Sequence, residues 1–239
     1  MNTSVPSPRR SLLLRAALVL AVVLGLLAPA TAAGAECDAT PEDGFRMLFD
    51  GTPSSLESWT QAGPGSFAIV DCTLKSVGGM GLLWYSAEEF CGYTLRADWK
   101  IEKTFDNSGI FVGFPDAGDD PWIAVNQGYE IQIDQFGRMD GAPKHYTGAI
   151  YDIQGPNRDT RLDPQGWIDW NTYEITVEDP TITVRLNGEV VNEFTSTDPA
   201  RDLSTGYFGL QNHGDIDTTY FRNIQVAETI PCEEEDAGS

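Results

Sequence analysis

Positive charge is scarce in this sequence. Its 239 residues hold 15 Lys and Arg against 36 Asp and Glu, a formal net charge of −21. A surface of that sign repels nucleic acid and anionic lipid, because both are polyanions, and favours solubility with neutral or cationic ligands. Histidine occurs only at His145 and His213. No G-x-S-x-G, H-E-x-x-H or phosphate-binding Gly loop is present, which removes three common catalytic templates. The four cysteines include no C-x-x-C pair, which argues against a zinc site. Past residue 35 no stretch repeats at a helical period, and there is neither an internal repeat nor a linker, so the chain reads as one domain without substantial helix.

One long apolar run exists, and it lies at the N-terminus. Arg9, Arg10 and Arg15 precede a run of Ala, Val and Leu from Ala16 to Leu27, broken only by Gly25. Small residues follow through Ala35. Charge, apolar core and small-residue site come in the order of a secretory signal, with cleavage after Ala32 or Ala35. The core is short of the ~20 residues that a membrane span needs, so an uncleaved anchor is the lesser reading. Arg9-Arg10-Ser11-Leu12-Leu13 also resembles a twin-arginine export motif, and both export routes stay open. Removing residues 1–35 from the 239 leaves 204, enough for a sizeable core. It also removes three Arg and no acid, taking the charge from −21 to −24. The expected organisation is a signal at 1–35, one domain at 36–232 and an acidic tail at 233–239. The expected location is secreted, with no membrane contact after cleavage.

Cys37, Cys72, Cys91 and Cys232 all follow the signal, and an even count in an exported chain implies disulfides. Three pairings are possible. The favoured one joins Cys72 to Cys91, which flank a short two-strand segment, and Cys37 to Cys232, which would tie the two ends of the domain.

Period-two alternation recurs from Gly44 to Val226. Tyr93, Leu95, Ala97, Trp99 and Ile101 share one face of a half-buried strand. Tyr129, Ile131 and Ile133 alternate with Glu130, Gln132 and Asp134. Tyr173, Ile175 and Val177, then Ile182, Val184 and Leu186, repeat the pattern before Asn187-Gly188, a pair suited to a tight hairpin. Further short strands are expected over 67–70, 74–77, 82–85, 110–114, 149–151, 207–210 and 220–226. Many short strands between Gly, Asn and Asp turns indicate an all-β, antiparallel two-sheet sandwich.

Strand side chains alternate, so Glu130, Gln132 and Asp134 project to one side. Such a face is either solvated or lines a sugar cleft, where carboxylates and amides meet hydroxyls. His145 and His213 sit at loop or strand-end positions and are candidates for base, acid or metal ligand. Gln211 and His213 share a face if their strand runs that far. Trp84, Tyr85, Trp122, Trp167 and Trp170 are candidates for stacking on sugar rings, though each reads more readily as packing. Asp116, Asp119 and Asp120, and likewise Asp215 and Asp217, form acidic loops. They match no EF-hand spacing and read as solvated turns.

Several blocks resemble one family. Phe45-Arg46-Met47-Leu48-Phe49-Asp50-Gly51 with Leu56-Glu57-Ser58-Trp59 looks like its opening. Asp106-Asn107-Ser108-Gly109-Ile110-Phe111, Gly128-Tyr129-Glu130-Ile131-Gln132-Ile133 and Thr147-Gly148-Ala149-Ile150-Tyr151 follow in the family's order. So do Trp170-Asn171-Thr172-Tyr173, Leu186-Asn187-Gly188, Gly209-Leu210-Gln211-Asn212-His213-Gly214 and Phe221-Arg222-Asn223-Ile224. The chain thus resembles the 3-keto-disaccharide hydrolase domain, in the concanavalin A-like lectin/glucanase superfamily.

The resemblance implies a curved jelly-roll sandwich and cleavage of glycosides already oxidised at the 3-hydroxyl. A C3 ketone acidifies the C2 hydrogen; a base removes it, the C1 oxygen leaves, and water adds later. That route needs a base, an enolate stabiliser and a proton donor. Glu130 or His145 is the candidate base, and His213, or a divalent metal held by it, the candidate stabiliser. Gln132, Asp134, Tyr151, Gln211 and Asn107 are the candidate sugar-binding residues. One departure is visible. Family members often carry an Arg shortly after the Asn-Ser-Gly-Ile-Phe block, where this chain has Val112-Gly113-Phe114, so a cleft cation is missing or moved. Two other functions fit the residues. One is a non-catalytic carbohydrate-binding module. The other is a retaining glycosidase using Glu130 and Asp134, which would require their carboxyls ~5–5.5 Å apart.

Overall fold

The computed structural model describes Met1 and residues 37, 39–138, 140–161 and 168–232. The rest of the expected signal, Trp167 and the acidic tail lie outside the described residues. The strands in chain order are β1 (Arg46–Phe49), β2 (Trp59–Ala62), β3 (Ser66–Val70), β4 (Thr73–Val77), β5 (Gly81–Tyr85), β6 (Gly92–Ile101) and β7 (Ser108–Phe114). A short helix α1 (Trp122–Gln127) precedes β8 (Tyr129–Ile133). Then come β9 (Asn171–Glu178), β10 (Thr181–Leu186), β11 (Glu189–Thr195), β12 (Tyr207–Asn212) and β13 (Thr219–Ile230). They form two antiparallel sheets. The larger runs β11-β10-β9-β6-β13-β4-β3 with β1 added on β13, and the smaller runs β2-β5-β12-β7-β8. The fold is an all-β sandwich, as the alternation requires.

The larger sheet keeps the expected half-buried pattern. Tyr93, Leu95, Ala97, Trp99 and Ile101 of β6 are buried, with Tyr173, Ile175 and Val177 of β9 and Ile182 and Val184 of β10 beside them. They pack on Ile110, Val112, Ile131, Ile133, Phe208 and Leu210 from the smaller sheet. Trp99 and Tyr173 meet at 5.3 Å between ring centroids. Truncating Trp99 to Ala would cost about 3–5 kcal/mol. Asn187 (φ 52°) and Gly188 (φ 84°) make the two-residue turn between β10 and β11.

The smaller sheet departs from expectation, because it is buried on both faces. Every residue of β5, β7 and β8 is buried. Its outer face carries a second apolar cluster of Leu82, Trp84, Phe111 and Phe114, covered by Ala124 of α1. At six residues α1 is too short to show a helical period in the sequence. The 149–151 segment is not a strand: Ile150 alone bridges to Ile131 and Gln154.

The disulfides are Cys37–Cys72 and Cys91–Cys232, with Cα–Cα distances of 5.5 and 5.2 Å. This corrects the pairing expected from sequence. β13 pairs with β6 so that Ile230 faces Gly92, which brings Cys232 to Cys91. Cys72 sits in the β3–β4 turn, with β13 between β4 and β6, and is left for Cys37. No helix among the described residues is long and apolar enough to cross a membrane.

Candidate active site

Strand order places the polar residues. β12, β7 and β8 run side by side, with Leu210 opposite Ile110 and Gly109 opposite Gln132. Ile131 and Ile133 point into the core, so Glu130 and Gln132 face the other way, next to Gln211 of β12. That side is the part of the outer face that α1 leaves uncovered. A cleft of about 260 Å³ opens there, floored by Asn107, Glu130, Gln132 and Gln211. Tyr151 and His213 line it too, and Met80, Trp122 and Val125 make an apolar side. The volume sits just under the ~300 Å³ lower end of drug-sized ligand pockets, so it suits a small ligand.

Tyr151 reaches the cleft because its segment runs along β8. Gly148 N donates to Gln132 O at 2.9 Å, and Tyr151 N donates to Glu130 O at 2.9 Å. Gly109 matters for a different reason. A Cβ there would lie 2.7 Å from Glu130 Cγ and 2.9 Å from Cδ, so only glycine leaves room for this carboxyl.

Glu130 is 9% exposed. Burial pushes its carboxyl from the ordinary 4.5 up to about 8, against a hydrogen bond from Gln211 that pulls it down. The hydrogen-bond network assigns the Gln132 amide: its nitrogen donates to Glu130 Oε1 at 2.9 Å and Ser108 O at 3.3 Å, and its oxygen accepts from Asn107 Nδ2 at 3.2 Å. Asn107 Oδ1 and Gln211 Oε1 are buried and have no hydrogen-bond partner among the described residues. Two orphan acceptors in one cleft call for donors from a ligand.

His213 lies just past β12, with Nδ1 2.7 Å from Asp217 Oδ2. Asp217 is 5% exposed, so it is not the solvated turn residue the sequence suggested. Its Oδ1 accepts from Arg138 Nη2 at 2.6 Å and from Asn107 N at 3.1 Å. Burial pushes the Asp217 carboxyl up, but the bonds from His213 and Arg138 outweigh it and hold it below the usual carboxylate range. The His213-x-x-x-Asp217 spacing was the available signal for this pair. Asp215 is exposed and accepts from Gly79 N at 2.6 Å.

Two candidates do not reach the cleft. Asp134 is fully buried, one residue past the end of β8. Its Oδ1 accepts from Phe136 N at 2.8 Å; its Oδ2 accepts from Arg138 N at 2.7 Å and from Asn107 Nδ2 at 3.1 Å. His145 is 6% exposed, with Nδ1 2.9 Å from Asp140 Oδ1 and Nε2 3.3 Å from Asp152 Oδ1. Its ring packs 5.2 Å from that of Tyr151, so it supports a cleft residue from behind.

The missing Arg has a local cause. Val112 is buried in the core, Gly113 takes φ 67° at a bulge opposite β12, and Phe114 packs under α1. Arg138 comes to this end of the site instead, bound to Asp217. Of the aromatics, Trp122 lines the cleft and is 55% exposed. Trp84 and Tyr85 are core, and Trp170 stacks under Arg222 at 4.0 Å. Asp120 Oδ1 accepts from Trp122 N at 3.0 Å in the turn just ahead of α1. Among the described residues no three His, Cys, Asp or Glu side chains gather as a metal ligand set.

Solved structures share this architecture. A "putative glycosyl hydrolase" from Parabacteroides distasonis ATCC 8503 superimposes with a TM-score of 0.62 at 25% identity, over 77% of this chain and 98% of its own. A Bacillus subtilis protein with a galectin-like fold gives 0.57 at 12% identity, over 79% and 96%. The carbohydrate-binding module CBM66 from Bacillus subtilis gives 0.50 at 15% identity, over 72% and 96%. The last two are likenesses of fold alone. No curated protein matches the sequence. The 3-keto-alpha-glucoside-1,2-lyase-like domain matches residues 44–227, which includes every cleft-lining residue, and the chain belongs to that family.

Proposed function

We propose that this is an exported carbohydrate-active enzyme that cleaves 3-keto glycosides by elimination across C1 and C2, followed by hydration. One observation carries the reading: Glu130, a buried carboxyl that titrates near 8, shares a small cleft with His213 and two orphan amide oxygens. A carboxylate of that basicity suits removal of a hydrogen next to a ketone.

Glu130 takes the C2 hydrogen as a proton, and its bonding pair moves into the C2–C3 enolate. The enolate collapses back to the ketone, C1=C2 forms and the C1–O bond breaks. His213, protonated on both ring nitrogens and donating its Nδ1–H to Asp217, gives the departing oxygen its proton from Nε2 and is left neutral, ready to take a proton from the water that adds later. Water then adds across C1=C2, so the sum is hydrolysis with no change of oxidation state. Asn107 Oδ1 and Gln211 Oε1 accept from sugar hydroxyls, and Trp122 offers a ring face.

The retaining-glycosidase alternative needs a second open carboxylate, and Asp134 has its oxygens taken by Phe136, Arg138 and Asn107. The four cysteines paired as two disulfides support a location outside the cytoplasm, and the N-terminal signal reading supports export.

The test is turnover of 3-keto-α-glucosides by the purified protein, followed by product chromatography. Wild type should release the aglycone, and Glu130→Gln and His213→Ala should not. Folded wild type that cleaves no 3-keto glycoside, yet binds unmodified glycans saturably, would make it a binding module instead.

A further inference from the structure

The polar knot behind His213 carries an apolar load that the chemistry above does not use. Phe105 and Ile216 are 64% and 73% exposed, among the most exposed large apolar side chains described. The Phe105 ring stacks on Phe136, with centroids 4.8 Å apart and planes 24° from parallel. Single exposed hydrophobes are ordinary, but here two stacked rings from separate loops, and Ile216 on a third, sit on loops tied to one another through the cleft residue Asn107.

The loops meet at named atoms. Asn107, two residues after Phe105, lines the cleft. Its N–H donates to Asp217, the neighbour of Ile216, at 3.1 Å. Its side chain donates to Asp134, two residues before Phe136, at 3.1 Å. Asp217 in turn holds His213. The apolar side chains are therefore mounted on the same scaffold as the group that faces the departing oxygen.

We propose that Phe105, backed by Phe136 and flanked by Ile216, is the subsite for the leaving group, and that it selects 3-keto glycosides with an aromatic aglycone. This rests on the reading of the cleft given above. The sugar ring takes the polar floor, where the orphan acceptors are. The far side of the C1 oxygen then extends past His213 toward the rim. Phe has no polar handle, so the rim supplies a ring face to stack on and offers nothing from these side chains to a second sugar's hydroxyls.

The experiment compares kcat/KM for phenyl and methyl 3-keto-α-glucosides in wild type, Phe105→Ala and Phe105→Trp. Using the same two substrates throughout cancels their different leaving-group chemistry. Phe105→Ala should lower the phenyl-to-methyl ratio about tenfold, the size of one aromatic stacking contact, and Phe105→Trp should keep it. An unchanged ratio in Phe105→Ala overturns the subsite. If wild type cleaves neither substrate, the reaction reading fails. Calorimetric titration with phenyl and methyl α-glucoside then decides the subsite by itself: a phenyl preference lost in Phe105→Ala supports it, and equal affinity overturns it.

Discussion

Asp217 Oδ2 sits 2.7 Å from His213 Nδ1, while the other carboxylate oxygen takes both Arg138 and the backbone of Asn107. One buried carboxylate thus orients the imidazole and fixes the loop that carries a cleft amide. Asp217→Asn keeps the shape but lets the ring take the wrong tautomer or swing. In the proposed reaction it should lower kcat by about 10²–10⁴ with KM nearly unchanged, by analogy with orienting carboxylates in protease triads. Asp217→Ala also removes the 2.6 Å acceptor of Arg138, leaving it Asp134 at 3.9 Å, and takes the acceptor from Asn107 N, so it should destabilise the fold by about 1–3 kcal/mol. Steady-state kinetics and urea titration together separate the two effects.

Glu130 should give a pH signature of its own. In the fold it holds its proton to about pH 8, against an ordinary 4.5. Between those values the unfolded chain releases a proton that the folded chain keeps, so stability is greatest below pH 4.5 and falls as pH rises toward 8. The group's share is up to about 5 kcal/mol. Glu130→Gln should remove that slope and raise the melting temperature at pH 8–9. In the proposed reaction Glu130→Gln removes the base and should abolish kcat/KM at every pH at which the wild type turns over. A wild-type melting temperature that does not fall between pH 5 and 8 relative to Glu130→Gln would contradict the assignment.

Local patterns were legible and distant pairings were not. β6 announced itself because five alternate side chains, from Tyr93 to Ile101, face one core. Asn187-Gly188 did so because few other residue pairs accept positive φ twice. The two-sided burial of β8 was hidden: its cover is a helix of six residues, and Glu130 and Gln132 look like solvent-facing residues until α1 and the 147–151 segment are in place. Asp134 looked equivalent to Glu130 because alternation predicts only the face, and β8 stops at Ile133. The disulfide pairing depended on the β6–β13 register, which joins residues 141 apart.

Gly109 tests whether the Glu130 pocket is as tight as it looks. Gly109→Ala puts a methyl 2.7 Å from Glu130 Cγ, so the carboxyl or β7 must shift. The expected cost is about 1–3 kcal/mol from overpacking. The carboxyl is displaced from the cleft, so activity in the proposed reaction should fall further than stability alone explains. Comparing denaturation midpoints with kcat at a temperature where the variant is folded reads both.

The two disulfides should differ in what they hold. Cys91–Cys232 closes a separation of 141 residues at the end of β13, and Cys37–Cys72 closes 35 and clips the N-terminal segment to the β3–β4 turn. On the chain-entropy argument their loss would cost about 5 and about 4 kcal/mol, respectively. The distinction lies in where the chain loosens. Cys91→Ser/Cys232→Ser frees the last turn of β13, which pairs with β6 at the middle of the larger sheet, so hydrogen exchange should speed up at Gly92–Tyr93 and Glu228–Ile230. Cys37→Ser/Cys72→Ser should speed exchange only around residues 39–43 and 71–73, because β4 keeps its partners β3 and β13. Both double variants should keep cleft activity below their melting temperatures, since no cysteine lines the cleft. Peptide mapping of the unreduced wild type checks the premise: fragments joined as 72–91 or 37–232 would overturn the pairing and with it the predicted exchange pattern.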